Sequence, residues 1–221
     1  VPCGTYYGAT EELLIVGGHH DTVYHGQGAV DNGAGTASVL EMASMFSEHI
    51  AEHGAPELTI KFCTWGGEEE GLWGSRAYVA DMNQDLSDNL RLYINLDMNH
   101  VDKDATRGNS VTLFTNHPTD YSHIKSLAEE YRNNNPAMAD KYTINVGLYD
   151  GELGESNGMP CNSDHCPFVY ELDEKRGRAA VCYGSGSWEY HTYLDEMDRF
   201  NEESLGISIT IYSNYMKFLA W

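Results

Sequence analysis

The stretch "LLIVGGHHDTVYHGQGAVDNGAG", Leu13 to Gly35, changes character twice within 23 residues. It opens as an apolar run with the length of a buried strand. It then delivers His19, His20 and Asp21, and closes on a glycine-rich turn that carries Asp31. Imidazoles and carboxylates placed straight after a buried strand are costly to desolvate unless they have a task. Side chains alternate along an extended chain, so His19 and Asp21 share a face and His20 points the other way. His19 and Asp21 therefore read as a working pair, and His20 as a packing residue.

Working outward, the same alternation of apolar runs and polar ends recurs. Val1 to Tyr7 and Glu12 to Gly18 read as strands joined by a Gly-Ala-Thr turn. Thr36 to Glu52 reads as a helix with Val39, Leu40, Ala43, Phe46 and Ile50 on one side. Glu57 to Trp65 and Leu90 to Met98 are strand-like, with a short helix over Trp73 to Met82 between them. Ser110 to Thr115 is a strand, Tyr121 to Arg132 a helix ended by "NNNP", and "KYTINVGLY" a further strand. Arg178 to Gly184 is a short apolar strand. Glu202 to Trp221 is a final helix with Leu205, Ile209, Tyr212, Met216 and Leu219 on its apolar stripe. Strands alternating with helices predict an α/β fold: a three-layer α/β/α sandwich around a central, largely parallel mixed sheet. With 221 residues and no long linker, one domain over residues 1–221 is expected.

The net charge of −21 argues against nucleic acid, whose phosphates call for clustered Lys and Arg. No apolar run approaches the roughly 20 residues that span a membrane. A monomer is the default expectation. The chain begins at Val1 without a methionine or a recognisable signal segment, and about 18 residues precede His19. A processed form, or a core cut from a longer protein, is expected, in a secreted or extracytoplasmic setting. Of the five cysteines, Cys63 reads as a buried thiol, and Cys161 and Cys166 lie close enough to be bridged if their loop curls. The aspartates of Val101 to Asn109 read as an exposed acidic loop rather than a calcium loop.

The polar residues gather at strand ends, where ligand sites of α/β sheets lie. His19 and Asp21 follow one strand and Asp31 the next loop. Glu68, Glu69 and Glu70 follow "KFCTWGG", Asp97 ends "LYINL", and His191 follows "AAVCYG". Three adjacent glutamates either splay into water on a first helical turn or converge on a cation. Imidazole nitrogen and carboxylate oxygen are the usual ligands of hydrolytic zinc. Asp31, Asp97 and Glu69 with one hydroxide would balance two Zn²⁺, leaving a neutral site.

The stretches "GGHHDTV", "GAVDNGAGTASVLEMA", "WGGEEEGLWGSRAYV", "NLDM", "SDHCPF" and "YHTYLDEMD", in that order across residues 17 to 198, resemble the M28 family of co-catalytic zinc peptidases. The resemblance implies a zinc-dependent exopeptidase with two zinc ions and a peptide substrate, an aminopeptidase that hydrolyses amino-terminal peptide bonds. It places His19, Asp31 and Asp97 on one ion, and Asp31, Glu69 and His191 on the other. It makes Glu68 the general base, Asp21 the residue that orients His19, and Tyr190 a candidate to steady the oxyanion. Trp73, Tyr149, Phe168 and Tyr193 are candidates for a side-chain pocket or are ordinary core aromatics. The sequence departs from the family at His20, where a bulky residue often sits, and at Tyr193, where a proline is common. Related readings on the same scaffold are a carboxypeptidase or dipeptidase, a glutaminyl cyclase, and a non-catalytic metal-dependent binding domain.

Overall fold

The computed structural model describes residues 1–103, 108–186 and 190–221. Part of the acidic Val101–Asn109 loop, and the first residues of "WEYHTYLDEMD", lie outside them. Seven strands form one sheet: β1 (Cys3–Tyr6), β2 (Leu13–His19), β3 (Thr59–Trp65), β4 (Leu90–Leu96), β5 (Ser110–Thr115), β6 (Thr143–Leu148) and β7 (Ala179–Gly184), in the order β1-β3-β2-β4-β7-β5-β6. The neighbours β3, β2, β4 and β7 run parallel. β1 is antiparallel to β3, and β5 is antiparallel to β7 with β6 parallel to it. The sheet is mixed, with its parallel part at the centre.

Alternate residues of each central strand feed opposite layers, as the pleat requires. Leu14, Val16, Ile60, Phe62, Leu92 and Ile94 pack with helices α1 (Gly33–His53), α4 (Pro118–Asn134) and α7 (Glu202–Ala220). Leu13, Ile15, Cys63, Trp65 and Tyr93 pack on the other face. That face is covered by α2 (Trp73–Asp81), α3 (Asn83–Asn89) and α6 (His165–Tyr170), through Val79, Leu86, Phe168 and Val169. The arrangement is the expected three-layer α/β/α sandwich. A short helix α5 (Pro136–Lys141) and a 3-10 turn (Met197–Arg199) complete the elements. Among the described residues no helix is long and apolar enough to cross a membrane.

Several local expectations change. β1 pairs antiparallel with β3, and Cys3 lies opposite Cys63 in that ladder. The two are joined by a disulfide, so Cys63 is not a free buried thiol. Cys161 and Cys166 are also bridged, and Cys182 is the buried free thiol. Helix α1 buries Ala34, Ser38, Val39, Met42 and Phe46, while Leu40 is exposed. Leu40 lies one residue, about 100° of helix, beyond Val39, and the face is set by 39, 42 and 46. Helix α1 starts early because the Asn32 side chain accepts from the Gly35 N–H and caps it. Gly35 allows the close approach that follows: a Cβ there would lie 2.1 Å from the Leu96 carbonyl oxygen.

Candidate metal centre

Because β3, β2, β4 and β7 are adjacent and parallel, their carboxyl ends deliver side chains to one place. β2 ends on His19 itself, which is 1% exposed. Asp97 follows β4, Glu68 and Glu69 follow β3, and His191 lies in the segment after β7. Asp31 comes from the loop that enters α1. Its position next to β4 is fixed by Asn32, which donates to the Leu96 carbonyl (2.9 Å) and accepts from the Met98 N–H (3.0 Å).

The Asp31 carboxylate lies between two imidazoles. Its Oδ1 is 3.2 Å from His19 Nε2 and its Oδ2 is 3.1 Å from His191 Nε2. Asp97 Oδ1 approaches His19 Nε2 at 3.6 Å, and Glu69 Oε2 approaches His191 Nε2 at 3.1 Å. The ligating atoms of His19, Asp31 and Asp97 form one cluster, and those of Asp31, Glu69 and His191 a second. These are the two groups the resemblance implies, here brought within reach of a cation each. A third overlapping group joins His19 with Glu68 and Glu69. Glu68 Oε2 stands 3.9 Å from His19 Nε2, beside the pair rather than inside either group that shares Asp31.

The electrostatics fit cations. Four carboxylates, Asp31, Asp97, Glu68 and Glu69, meet two imidazoles, and neither adjoining cavity is lined by a Lys or Arg among the described residues. Glu69 Oε1 and Asp97 Oδ1 are buried without a hydrogen-bond partner. Burial pushes Glu68 up to about 8, aided by the charges of Asp97, Asp164 and Glu69 and opposed by His19. Burial and the Asp31 charge push Glu69 to about 7. Burial would lower the His19 pKa, but the carboxylates of Asp21, Asp31 and Asp97 beside it outweigh that and raise it. Such crowding of like charge is what bound divalent ions relieve.

Asp21 has a larger structural task than orienting His19. Its carboxylate is 3.6 Å from His19 Nδ1, while its backbone oxygen is nearer, at 3.1 Å. The two carboxylate oxygens accept from the Glu68 and Glu69 N–H groups, each at 3.2 Å. Burial would raise the Asp21 pKa, but the His19 contact and these two N–H groups hold it down at about 2. Asp21 thus fixes β3's glutamates against β2's histidine. His20 is exposed, not packed; its backbone N–H continues the ladder to the Trp65 carbonyl.

A cavity of about 380 Å³ opens beside the cluster, lined by Asp31, Glu68, Asp97, Met98, Asn162, Tyr183 and Tyr190 among others. Tyr190 stacks on His191 with ring centroids 3.7 Å apart. The aromatics suggested by the sequence do not line it. Phe168 is core, stacked on Tyr93 at 3.9 Å, and Trp73 and Tyr193 are exposed. Tyr183, whose hydroxyl donates to Asn162 Oδ1 at 3.2 Å, takes that place. A second cavity, of about 430 Å³, lies on the Glu69 side, lined by Asp21, Thr22, Tyr24 and Glu70 among others.

Three residues escaped the sequence reading. Asn32 has an accessible signal, a capping side chain just before a helix. Asp195 accepts from the Val30 and Asp31 N–H groups; it lies within "YHTYLDEMD", but that stretch does not say which N–H groups it meets. Asp164 is fully buried and accepts from Ser75 Oγ at 2.6 Å; burial pushes it up to about 7. Non-glycine residues with positive φ also gather here: Leu72 (63°), Met98 (45°) and His191 (60°). Such backbone strain concentrates at functional sites.

The structure is thus an α/β/α sandwich with two imidazole–carboxylate groups, sharing one aspartate, at the carboxyl ends of its parallel strands. The chain belongs to peptidase family M28, whose model matches residues 3–216. It is similar to a probable leucine aminopeptidase 2 of Aspergillus oryzae, 27% identical over 211 residues, covering 91% of this chain and 40% of that one. In fold it is similar to an aminopeptidase from Aneurinibacillus sp. strain AM-1, with a TM-score of 0.70 at 23% identity, covering 99% of this chain and 47% of that one. It also resembles a zinc aminopeptidase from Bacillus subtilis, with a TM-score of 0.67 at 21% identity, covering 99% of this chain and 49% of that one. The chain thus spans less than half the length of each of these proteins.

Proposed function

We propose that this chain is the catalytic domain of a two-zinc exopeptidase that removes residues from the amino terminus of peptides. The observation that carries the reading is the Asp31 carboxylate, with one oxygen on His19 and the other on His191. His19, Asp31 and Asp97 would hold one ion, and Asp31, Glu69 and His191 the other. When bound, the ions acidify a water and polarise the scissile carbonyl. Glu68 takes the proton of the attacking water and passes it to the leaving amine, a task suited to a largely buried carboxylate that stands beside the two groups sharing Asp31 without belonging to either. Asp21, through the Glu68 and Glu69 N–H groups, keeps base and ligand in register. Tyr190, held against His191, offers a hydroxyl at the cavity wall for the developing oxyanion.

An amino-terminal rather than carboxy-terminal substrate is supported by charge. A free carboxylate is recognised by Arg or Lys, and the cavities are lined by neither among the described residues. Two disulfides and the net charge of −21 support an extracytoplasmic setting. The test is to strip the protein with a chelator, reload it with Zn²⁺ and follow leucine p-nitroanilide. Hydrolysis should return with metal, reach its maximum at two equivalents, and vanish for the N-acetylated substrate. Two bound ions without hydrolysis would leave a binding domain. One ion, with cyclisation of an amino-terminal glutamine, would make it a cyclase.

A further inference from the structure

We infer that Asp195 is a positioning residue that holds the Asp31–Glu69–His191 group separately from the His19–Asp31–Asp97 group; the inference rests on the two-ion reading above. Asp195 is 5% exposed. Its Oδ1 accepts from the Val30 N–H at 2.7 Å and its Oδ2 from the Asp31 N–H at 2.9 Å. Val30 and Asp31 are themselves buried, so these donors would be orphaned without it. Placing a carboxylate so near the Asp31 charge is unfavourable in itself. Its benefit is a charge-assisted grip on two consecutive N–H groups.

Asp195 lies four residues beyond His191, in a tight segment where the Asp195 N–H donates to the Thr192 carbonyl at 3.2 Å. Next to it, Gln27 Nε2 donates to Glu196 Oε1 at 2.9 Å. The segment carrying His191 is therefore fastened along the loop carrying Asp31. His191 adopts φ of 60°, which a non-glycine residue keeps only when its surroundings impose it. The Asp195 grip supplies that constraint and sets the meeting of His191 Nε2 with Asp31 Oδ2.

On the other side Asp31 has an independent fastening. Asn32 bonds the Leu96 carbonyl and the Met98 N–H, the neighbours of Asp97 on either side. Asp31 is thus held twice: through Asn32 toward Asp97 and His19, and through Asp195 toward His191. Two fastenings imply that each group can be loosened alone.

The test uses the whole chain and Zn²⁺ or Co²⁺ as probes. Asp195→Asn keeps the size and one acceptor oxygen, and Asp195→Ala removes both. Stepwise affinities come from competition with a chelator, site by site from the Co²⁺ absorption bands, and the melting temperature of the chelator-treated protein monitors folding. In the Asn variant one ion should bind within about threefold of wild type. The other should weaken about 10- to 100-fold, the usual effect of losing a residue that supports a ligand, with the Ala variant at least as weak. Asn32→Ala should reverse the pattern, weakening the ion on the Asp97 side. A lower melting temperature with the ratio of the two affinities unchanged overturns the inference, as does an equal loss at both sites. Wild-type protein that binds fewer than two ions overturns the two-ion reading itself and this inference with it.

Discussion

The two edges of the parallel strands handle buried charge in opposite ways. At the amino ends, Asp120 is fully buried and neutralised by the protein itself. Arg178 donates to it through Nε (2.9 Å) and Nη2 (2.7 Å), Arg91 through Nη2 (3.2 Å), and Tyr215 through its hydroxyl (2.5 Å). At the carboxyl ends, Asp31, Asp97, Glu68 and Glu69 have two imidazoles and, among the described residues, no guanidinium in the cavity walls, and buried oxygens remain without partners. One edge is complete as folded and the other asks for cations. The same sheet supports both because buried ions need compensation but not of any one kind. Where the chain supplies the cation the result is structure, and where it withholds it the result is a site.

The largest effect should come from the carboxylate that sits at the charged edge without belonging to either ligand group. Glu68→Gln removes a proton acceptor and almost no volume. Turnover should fall about 10²- to 10⁴-fold, with two metals still bound and little change in melting temperature. Glu69→Gln, its chain neighbour, should instead weaken the ion on the His191 side. Metal content and turnover measured on one sample separate the two. An active Glu68→Gln, or one that has shed a metal, would end its assignment as base.

The complementary perturbation is Asp120→Asn at the guanidinium edge. It leaves Arg91 and Arg178 close together with a neutral partner. Breaking a buried pair costs about 3–5 kcal/mol. Since the two arginine side chains are 20% and 28% exposed, water relieves part of that and the lower value is expected. Urea unfolding should show this loss, while the affinity for Zn²⁺ stays unchanged. If Asp120→Asn alters metal binding, the two edges are coupled through the sheet and the contrast drawn above fails.

What the sequence disclosed follows the same division. β2, β4 and β5 were readable because they are apolar runs with clear ends, and Ser110–Thr115 has the expected bounds. Helix α3 (NQDLSDN) was missed because its buried residues are Leu86 and Ser87, too few to make a period. Helix α6 is six residues long and is fixed by Phe168 stacking on Tyr93, a contact between distant segments. The Cys3–Cys63 bridge depends on β1 crossing to β3, which no spacing encodes. The imidazoles and carboxylates that gather at the strand ends carry their chemistry in their residue type and motif, so their grouping was legible. Asp195 and the second task of Asp21 consist of carboxylates accepting backbone N–H groups, and the sequence does not say which N–H a carboxylate will meet. Tyr183 was not among the pocket candidates for a like reason: it reads as an interior strand residue until the neighbouring loop brings Asn162 to its hydroxyl.

The smallest effect comes from comparing two buried imidazoles within the site's own edge. His19 is surrounded by Asp21, Asp31 and Asp97, whose carboxylates raise its pKa against the effect of burial. His165 is fully buried, donates from Nε2 to the Pro160 carbonyl at 2.5 Å, and has no partner at Nδ1. Burial pushes it down to about 4 from an ordinary 6.5, with the Pro160 hydrogen bond and Asp97 opposing. A folded-state pKa below the unfolded one means that only the unfolded chain takes up this proton between those values. Stability from His165 is therefore intact above pH 6.5 and declines as pH falls toward 4. At pH 5 the loss is about 1.5 pKa units, or about 2 kcal/mol. His165→Gln keeps a donor for the Pro160 carbonyl and cannot titrate. Urea unfolding of wild type and variant, both with chelator so that metal release does not contribute, should show the variant gaining on wild type by about that amount between pH 7.5 and pH 5. Parallel stability curves would mean that His165 takes up its proton as readily in the fold as in the unfolded chain, and that the carboxylates of this edge extend their field further into the core than the geometry of Asp97 and Asp164 implies.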